Sequence, residues 1–401
     1  MELCVHGGGK TGAYGVAHYS RQACGAAFGP LGLTGVMRFC RGAEVVLSNQ
    51  PSGVEVLVTT PPSDEEYRAN ACVLLGAYLV LKHEWSVDHL ANAMGVKDAN
   101  ARFEVSWAPR RTPEKERVLR VRDCWAGVAL AVQQGWLKRG FVDDDARTGV
   151  YCNRCETLLA GFDAAWIVPG SIMVAADPTT VTCDPNPATC SKLLPGETEE
   201  PARANSSSPK SLHSQITFTS VDTVCKEYGG DNVSNCASLD QDRPESFVDL
   251  YRQSSIGLVI RANFMIEQGM PNPSYPDRAF EPYGIDQVNI QVKDTDGGLP
   301  KSADVAKMLK VCEGYSGGSG SNAVLVHCKG GFGRSVMFAC CLAIYRLNIP
   351  GEALLGWVRM ARPGALTTRK QELFLVSLKG HADVAKYARL HTTCGVNCPV
   401  Q

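Results

Sequence analysis

Long apolar runs are missing from this chain. Nowhere do 18 consecutive apolar residues occur, so no membrane-spanning helix is expected. An excess of either charge is missing too: 40 lysines and arginines stand against 41 aspartates and glutamates, a net charge of -1, and no long basic run marks a nucleic-acid surface. The opening "MELCVHGGGKTGAYG" lacks the charged and apolar segments of a secretion signal. Together these absences set the expectation of a soluble protein of the cytoplasm and/or nucleus, with neither membrane nor nucleic acid as partner. The cysteine pairs lack second halves. "CNRC" (Cys152, Cys155) and "CGVNC" (Cys394, Cys398) have no partner pair at zinc-finger spacing, so neither metal nor cofactor is expected. A nucleotide-binding loop is excluded at "HGGGKTG", because Cys4 stands where the glycine five residues before Gly9-Lys10-Thr11 would be needed.

What is present is a chain of 401 residues, 44% hydrophobic, long enough for two domains and a sizeable core. Its 17 cysteines are odd in number, and Cys72, Cys312, Cys340 and Cys341 fall in apolar, helical-looking runs. They read as small hydrophobes rather than as a disulfide framework.

Periodicity divides the chain. "VEVLVTT" (Val54 to Thr60) reads as a buried strand, "YRANACVLLGAYLVL" (Tyr67 to Leu81) and "DCWAGVALAVQQGWL" (Asp123 to Leu137) as helices, and "AAWIVPGSIMVAA" as a strand pair. From 178 to 245 proline, serine, threonine and asparagine dominate, as expected of a mobile insertion. The pattern then resumes with "IGLVIRAN", "IDQVNIQV" and "NAVLVHC" as strands, alternating with helices in "ADVAKMLKVCEGY", "RSVMFACCLAIYRL" and "EALLGWVRMA", and a last one near Arg369. Strands alternating with helices predict an α/β fold with a mainly parallel sheet covered on both faces. "EVLVTTPPSDEEYRANACVLLGAYLVL" can be laid over "AVLVHCKGGFGRSVMFACCLAIYRL", with Thr60 opposite Cys328 and Arg68 opposite Arg334. The first copy has neither cysteine nor glycine in its loop, and carries Asp64, Glu65 and Glu66 where the second has no carboxylate. The expectation is therefore two tandem domains of one architecture: residues 1–160 without catalysis, 161–392 with it, then a tail, 393–401.

The second copy holds the chemistry. A strand that ends in a glycine-bearing loop and opens into a helix aims backbone N–H groups at one point, with the helix dipole behind them. His327, Cys328, Lys329, Gly330, Gly331, Phe332 and Gly333 would form such an anion cradle. A cysteine at its mouth has its thiolate stabilised and becomes a nucleophile. Arg334 offers a planar fork that matches two phosphoryl oxygens. These parts specify phosphoryl transfer through a phosphocysteine. An acid must protonate the leaving oxygen. "QVKDTDGGLP" offers Asp294 and Asp296, with Asp296 preferred as the acid and Asp294 as a solvated loop carboxylate. Ser335 is placed to donate a hydroxyl to the Cys328 sulfur, Gln371 is the candidate to position the hydrolytic water, and His327 is expected to shape the loop.

The spacing of Cys328 to Arg334, with His327 before and Ser335 after, resembles the signature of the protein-tyrosine-phosphatase superfamily. "FGPLGL", "RANACVLLGAY", "WIVPG", "VIRAN", "HCKGGFGR" and "RPGA" follow in the order of the Cdc-fourteen dual-specificity phosphatases, which the chain resembles. That resemblance implies two phosphatase-like domains with only the second active, a role in mitotic exit and cell division, and phosphorylated proteins as partners. It also implies substrates with phosphoserine or phosphothreonine before proline, besides phosphotyrosine, and Asp296 as the acid. Two departures stand out. Ser335-Val336 replaces the family's Thr-Gly, and Glu372 replaces a glutamine, where a negative charge is expected to slow water attack or repel phosphate. The alternatives are a phosphoinositide or other non-protein phosphatase, weakened because Lys329 is the only basic residue between Cys328 and Arg334, and a phosphoprotein-binding pseudophosphatase.

Overall fold

The computed structural model describes residues 2–5, 9–13, 16–19, 27–51, 56–107, 111–181, 246–295, 298–315 and 323–390. Most of the 178–245 segment, the 393–401 tail, the Cys394–Cys398 pair and Asp296 lie outside the described residues.

Three strands, β1 (Glu2–Val5), β2 (Gly9–Ala13) and β5 (Val56–Thr59), form a sheet in the order β2-β1-β5, and β3 (Ala17–Tyr19) pairs with β4 (Ala27–Gly29). All these pairings are antiparallel. The mainly parallel sheet expected of the first half is therefore corrected for its described strands: β1 and β2 are close neighbours in the chain, and such a connection returns the strand antiparallel. Nor is "VEVLVTT" buried throughout. Its described strand alternates half-buried and exposed positions, with Leu57 45% exposed, as suits an edge strand covered on one face.

The helices of this half are α1 (Leu33–Ser48), α2 (Glu65–His83), α3 (Val87–Met94), α4 (Val96–Ala99), α5 (Val121–Gln133) and α6 (Asp145–Glu156). Then come β6 (Ala164–Val168), β7 (Ile172–Ala176), α7 (Pro178–Val181), α8 (Phe247–Gln253), β8 (Ile256–Arg261), β9 (Asp286–Asn289), α9 (Ser302–Cys312), β10 (Ala323–Cys328), α10 (Arg334–Leu347), α11 (Gly351–Ala361), α12 (Arg369–Ser377) and α13 (His381–Tyr387). The second half's sheet runs β6-β7-β10-β8-β9; only the β6–β7 hairpin is antiparallel, and the other pairs are parallel.

β7, β8 and β10 are buried at every position because apolar layers cover both faces. The side chains divide by the strand period: Ile172, Val174, Leu258, Ile260, Val324 and Val326 join one core, whereas Met173, Ala175, Val259, Ala323 and Leu325 join the other, along with Ile256, where an irregularity shifts the β8 register. The second core is closed by Phe247, Leu250 and Tyr251 of α8. The first takes in α10 and α11 and continues without a break into α1, α2 and α5, so the two halves share it. They meet closely because α5 and α11 cross at glycines: a Cβ on Gly127 would collide with the Trp357 backbone, and one on Gly356 with the Asp123 carbonyl. The cysteines weighed as small hydrophobes include Cys312 and Cys341, whose thiols burial pushes up to about 12. Cys72 is half-buried, with its thiol up at about 11. Cys152 and Cys155 lie on α6 as free thiols, and among the described residues no group of three or more His, Cys, Asp or Glu could hold a metal.

Candidate active site

β10 ends at Cys328 and α10 begins at Arg334, so the loop between them spans residues 329–333. Each of its carbonyls is engaged from outside. Lys329 accepts from the Asp177 N–H at 3.1 Å and the Thr180 hydroxyl at 3.2 Å. Gly330 and Gly331 accept from the Arg362 guanidinium at 3.3 and 3.1 Å. Phe332 accepts from the Leu366 N–H at 2.8 Å, and Gly333 from the Met337 N–H at 2.9 Å. With the carbonyls held outward, the N–H groups from Lys329 to Arg334 pair with no described acceptor. Unpaired N–H groups on such a loop are what an anion cradle requires. Gly331 is demanded twice, by a φ of +70° and by the Ala175 and Ala176 backbone, which lies 2.5 Å from where a Cβ would stand.

Cys328 is buried, with its Sγ 3.3 Å from the Ser335 Oγ, close enough for the hydroxyl to donate. Arg334 is only 2% exposed, and burial opposes its charge. Glu267 offsets this with a two-point contact, at 2.6 and 2.7 Å, and the guanidinium is held above its ordinary range. Glu267 is likewise penalised by burial, yet Arg334 and the Phe264 N–H hold its carboxyl below the usual range. Glu267 takes the outer end of the fork, and Nη1 also donates to the Val292 carbonyl at 2.9 Å. Nη2, besides its bond to Glu267, lies 3.3 Å from Asp294, a carboxylate 58% exposed, so Nε is the one guanidinium nitrogen without a partner among the described residues.

Gln371 is buried and comes against the loop. Its Oε1 accepts from the Thr367 N–H at 2.7 Å and hydroxyl at 3.1 Å, which turns Nε2 towards Gly333, 3.0 Å from where a Cβ would stand. Asp296 lies outside the described residues, but just beyond it a Cβ on Gly298 would stand within 4 Å of Arg334, Gln371 and Asp294. Glu372 is fully buried, with one carboxylate oxygen on Arg359 inside the core. The repulsion of phosphate expected from it is thereby blunted, and burial pushes its carboxyl up to about 7. Val336 is a core residue of α10.

His327 shares a hydrogen bond with the Tyr275 hydroxyl under the loop. Burial, with Arg261 and Arg334 nearby and despite Asp177, pushes its pKa down to about 4, so it is neutral at physiological pH. Asp177 is buried as an acceptor hub, taking Thr179 at 2.8 Å, Asn263 at 2.8 Å and Ser274 at 2.6 Å. Glu267, Asp177 and Tyr275 were not foreseen; Asn263 and Arg362 carry a signal, standing in "VIRAN" and "RPGA".

The corresponding turn of the first half is self-occupied. Asp64 caps α2, accepting from the Glu66 and Tyr67 N–H groups at 3.1 and 3.0 Å, whereas α10 has no side-chain cap. Arg68 pairs with Asp98 at 2.7 Å. Glu66 pairs with Arg111, which also binds Glu104 at 2.8 Å.

A family model described as the N-terminal half of dual specificity protein phosphatases matches residues 18–131. Dual specificity protein phosphatase CDC14AB of Danio rerio is 25% identical over 364 residues, covering 89% of this chain and 47% of that protein. Dual specificity protein phosphatase CDC14A of Mus musculus is 23% identical over 346 residues, covering 86% and 45%. The chain resembles the Cdc-fourteen-type dual-specificity phosphatases. It spans about half the length of these curated relatives. Among solved structures, that of Tk-PTP in its active form aligns at 25% identity over 33% of this chain and 82% of its own, with a TM-score of 0.27. The Cdc-fourteen resemblance runs through both halves, and the α/β architecture with a mixed, mainly parallel sheet in the second half accords with it.

Proposed function

We propose that this protein hydrolyses phosphoserine and phosphothreonine before proline, and phosphotyrosine, on phosphorylated proteins of the cytoplasm and/or nucleus, with residues 161–392 catalytic and 1–160 a non-catalytic partner domain. The observation that carries the proposal is the convergence of Cys328, the outward-tied loop carbonyls and the Glu267-held fork of Arg334 on one cradle.

The phosphoryl group binds to the loop N–H groups and to Arg334, through Nε and the Nη2 hydrogen that Asp294 otherwise takes. The Cys328 thiolate attacks phosphorus; the P–O bond to the substrate breaks as Asp296 gives the leaving oxygen its proton, and a P–S bond forms. Water then attacks phosphorus, oriented by Gln371, with Asp296 receiving its proton. The thiolate departs, eased by the Ser335 hydroxyl 3.3 Å away, and inorganic phosphate is released. The Cdc-fourteen resemblance supports the protein substrates and the proline preference. No step needs a metal or cofactor.

Turnover of a phosphoserine-proline peptide by wild type, Cys328→Ser and Asp296→Ala tests the scheme. Cys328→Ser should be inactive and Asp296→Ala slowed about a hundredfold or more in kcat. Equal activity in all three would end it; turnover that favours phosphotyrosine and ignores the proline would end only the substrate assignment.

A further inference from the structure

The first turn of α12 carries Gln371 and is tied twice to the first half of the chain. Arg369, an exposed residue, donates its Nε to the Glu116 carbonyl at 2.8 Å. Glu372 pairs with Arg359 of α11, whose Nη2 donates to the Glu104 carbonyl at 2.9 Å. Glu104 is in turn held fast, its carboxylate accepting from the Phe28 N–H at 3.0 Å and from Arg111 and Arg117 at 2.8 and 3.1 Å. Gln371 lies between these two ties. Thr367 holds its Oε1, and its Nε2 stands 3.0 and 3.4 Å from where Cβ atoms on Gly333 and Gly298 would be, between the end of the cradle and the loop that follows Asp296. Taking two charges out of water is costly, and apolar residues of the same volume commonly serve stability as well. What the ion pair adds is a fixed direction. Here it runs from Glu104 through Arg359 to Glu372, next in the chain to the side chain assigned to the water.

We infer that Arg359, Glu372 and Arg369 are positioning residues for Gln371, through which the first half of the chain sets the rate of phosphocysteine hydrolysis. The carboxylate expected from its charge to slow water attack serves that step instead. Arg359 and Glu372 are wholly buried, so neither meets the substrate, and both act through α12. Formation of the P–S bond draws on Cys328, the loop and Arg334 and makes no use of Gln371. The two chemical steps therefore respond differently when the ties are cut: kcat/KM, which covers events up to loss of the leaving group, is spared, and the second step slows. A displacement of about 1 Å in a positioned group costs up to about a hundredfold. The inference rests on the phosphatase reading and on Gln371 as the residue that orients the water.

The test uses nitrophenyl phosphate, whose good leaving group makes the first step fast. It compares wild type, Arg369→Ala, and the double variant Arg359→Met, Glu372→Leu, which replaces the buried pair by apolar side chains, each with and without Gln371→Ala. Steady-state release of nitrophenol is measured beside acid quenching and mass analysis of Cys328. Turnover at saturation divided by the fraction of Cys328 that carries phosphate is the hydrolysis rate of an occupied site, a ratio that a misfolded fraction leaves unchanged. It should fall about tenfold in the double variant and about threefold in Arg369→Ala, with kcat/KM nearly unchanged and phosphate on Cys328 increased. Neither change should lower the ratio further in the Gln371→Ala background, because both act through that side chain. An unchanged ratio in both variants, a kcat/KM that falls as far as kcat, or a full further loss on top of Gln371→Ala would overturn the inference. So would a wild-type ratio in Gln371→Ala itself. Turnover by wild type with no phosphate on Cys328 in any of the proteins would instead remove the phosphocysteine scheme, and absence of turnover by wild type the phosphatase reading, each taking the inference with it.

Discussion

Arg334 carries a positive charge where almost no water reaches it, and Glu267 is what makes this possible. The carboxylate neutralises the guanidinium and fixes its plane, so little rotational freedom remains to be lost when phosphate binds. Glu267→Gln should therefore act on binding and on folding together: KM for a phosphopeptide rises about tenfold, and stability falls by about 3 kcal/mol as a buried pair is broken. Steady-state kinetics beside urea unfolding checks both; unchanged values would mean that Arg334 orients itself. His327 makes a prediction in pH. Its folded pKa, about 4, lies below the value of about 6.5 for the unfolded chain. Between the two the unfolded state binds the extra proton, so this contribution is complete above about pH 6.5 and is lost as pH falls towards 4. Wild type should lose more Tm than His327→Gln between neutral pH and pH 5; equal losses would contradict it. At this scale the sequence disclosed unevenly. Cys328, Arg334 and Ser335 were legible because their chemistry is compressed into one turn. Glu267 and Asp177 were not, since a lone carboxylate reaching its partner from another loop leaves no periodic or spaced trace.

The two strand–loop–helix elements differ in what occupies the helix N-terminus. In the first, the Asp64 carboxylate stands where an anion would, taking two N–H groups of α2. In the second, the residue before α10 is Gly333, which has no side chain to cap it, and the N–H groups stay available. One copy thus spends its N–H groups on its own fold while the other keeps them for a ligand. Asp64→Ala should cost α2 about 1 kcal/mol, the usual worth of an N-cap, and leave phosphatase turnover unchanged. Thermal unfolding with a kinetic control measures this, and a large loss of turnover without loss of stability would contradict it. The helices were the most legible elements: Arg334–Leu347 matches its apolar run end to end. The strand pairing of the first half was not legible. Short strands announce their existence but not their direction, and the expected parallel sheet there gave way to antiparallel pairs.

Across the whole molecule, the halves are joined by a shared core and by polar contacts that reach the loop's supports. Trp107 donates to the Gly364 carbonyl at 3.2 Å, and its ring centre lies 5.8 Å from that of Phe332. Gly364 is two residues from Arg362, which ties the loop carbonyls, so the first half braces the loop of the second. Gly356→Leu, which drives a side chain into the α5 backbone, should lower Tm by several degrees and reduce kcat as well. A stable variant with wild-type turnover would show that the halves act independently. The central claim, however, is that Cys328 is the atom to which phosphate transfers. Rapid acid quenching of wild type with a phosphoserine-proline peptide, followed by intact and peptide mass analysis, tests it most directly. One phosphoryl group per chain on Cys328, formed in a burst and absent from Cys328→Ser, is the predicted result; brisk turnover by wild type with no phosphoryl group on Cys328, or undiminished turnover by Cys328→Ser, would contradict it.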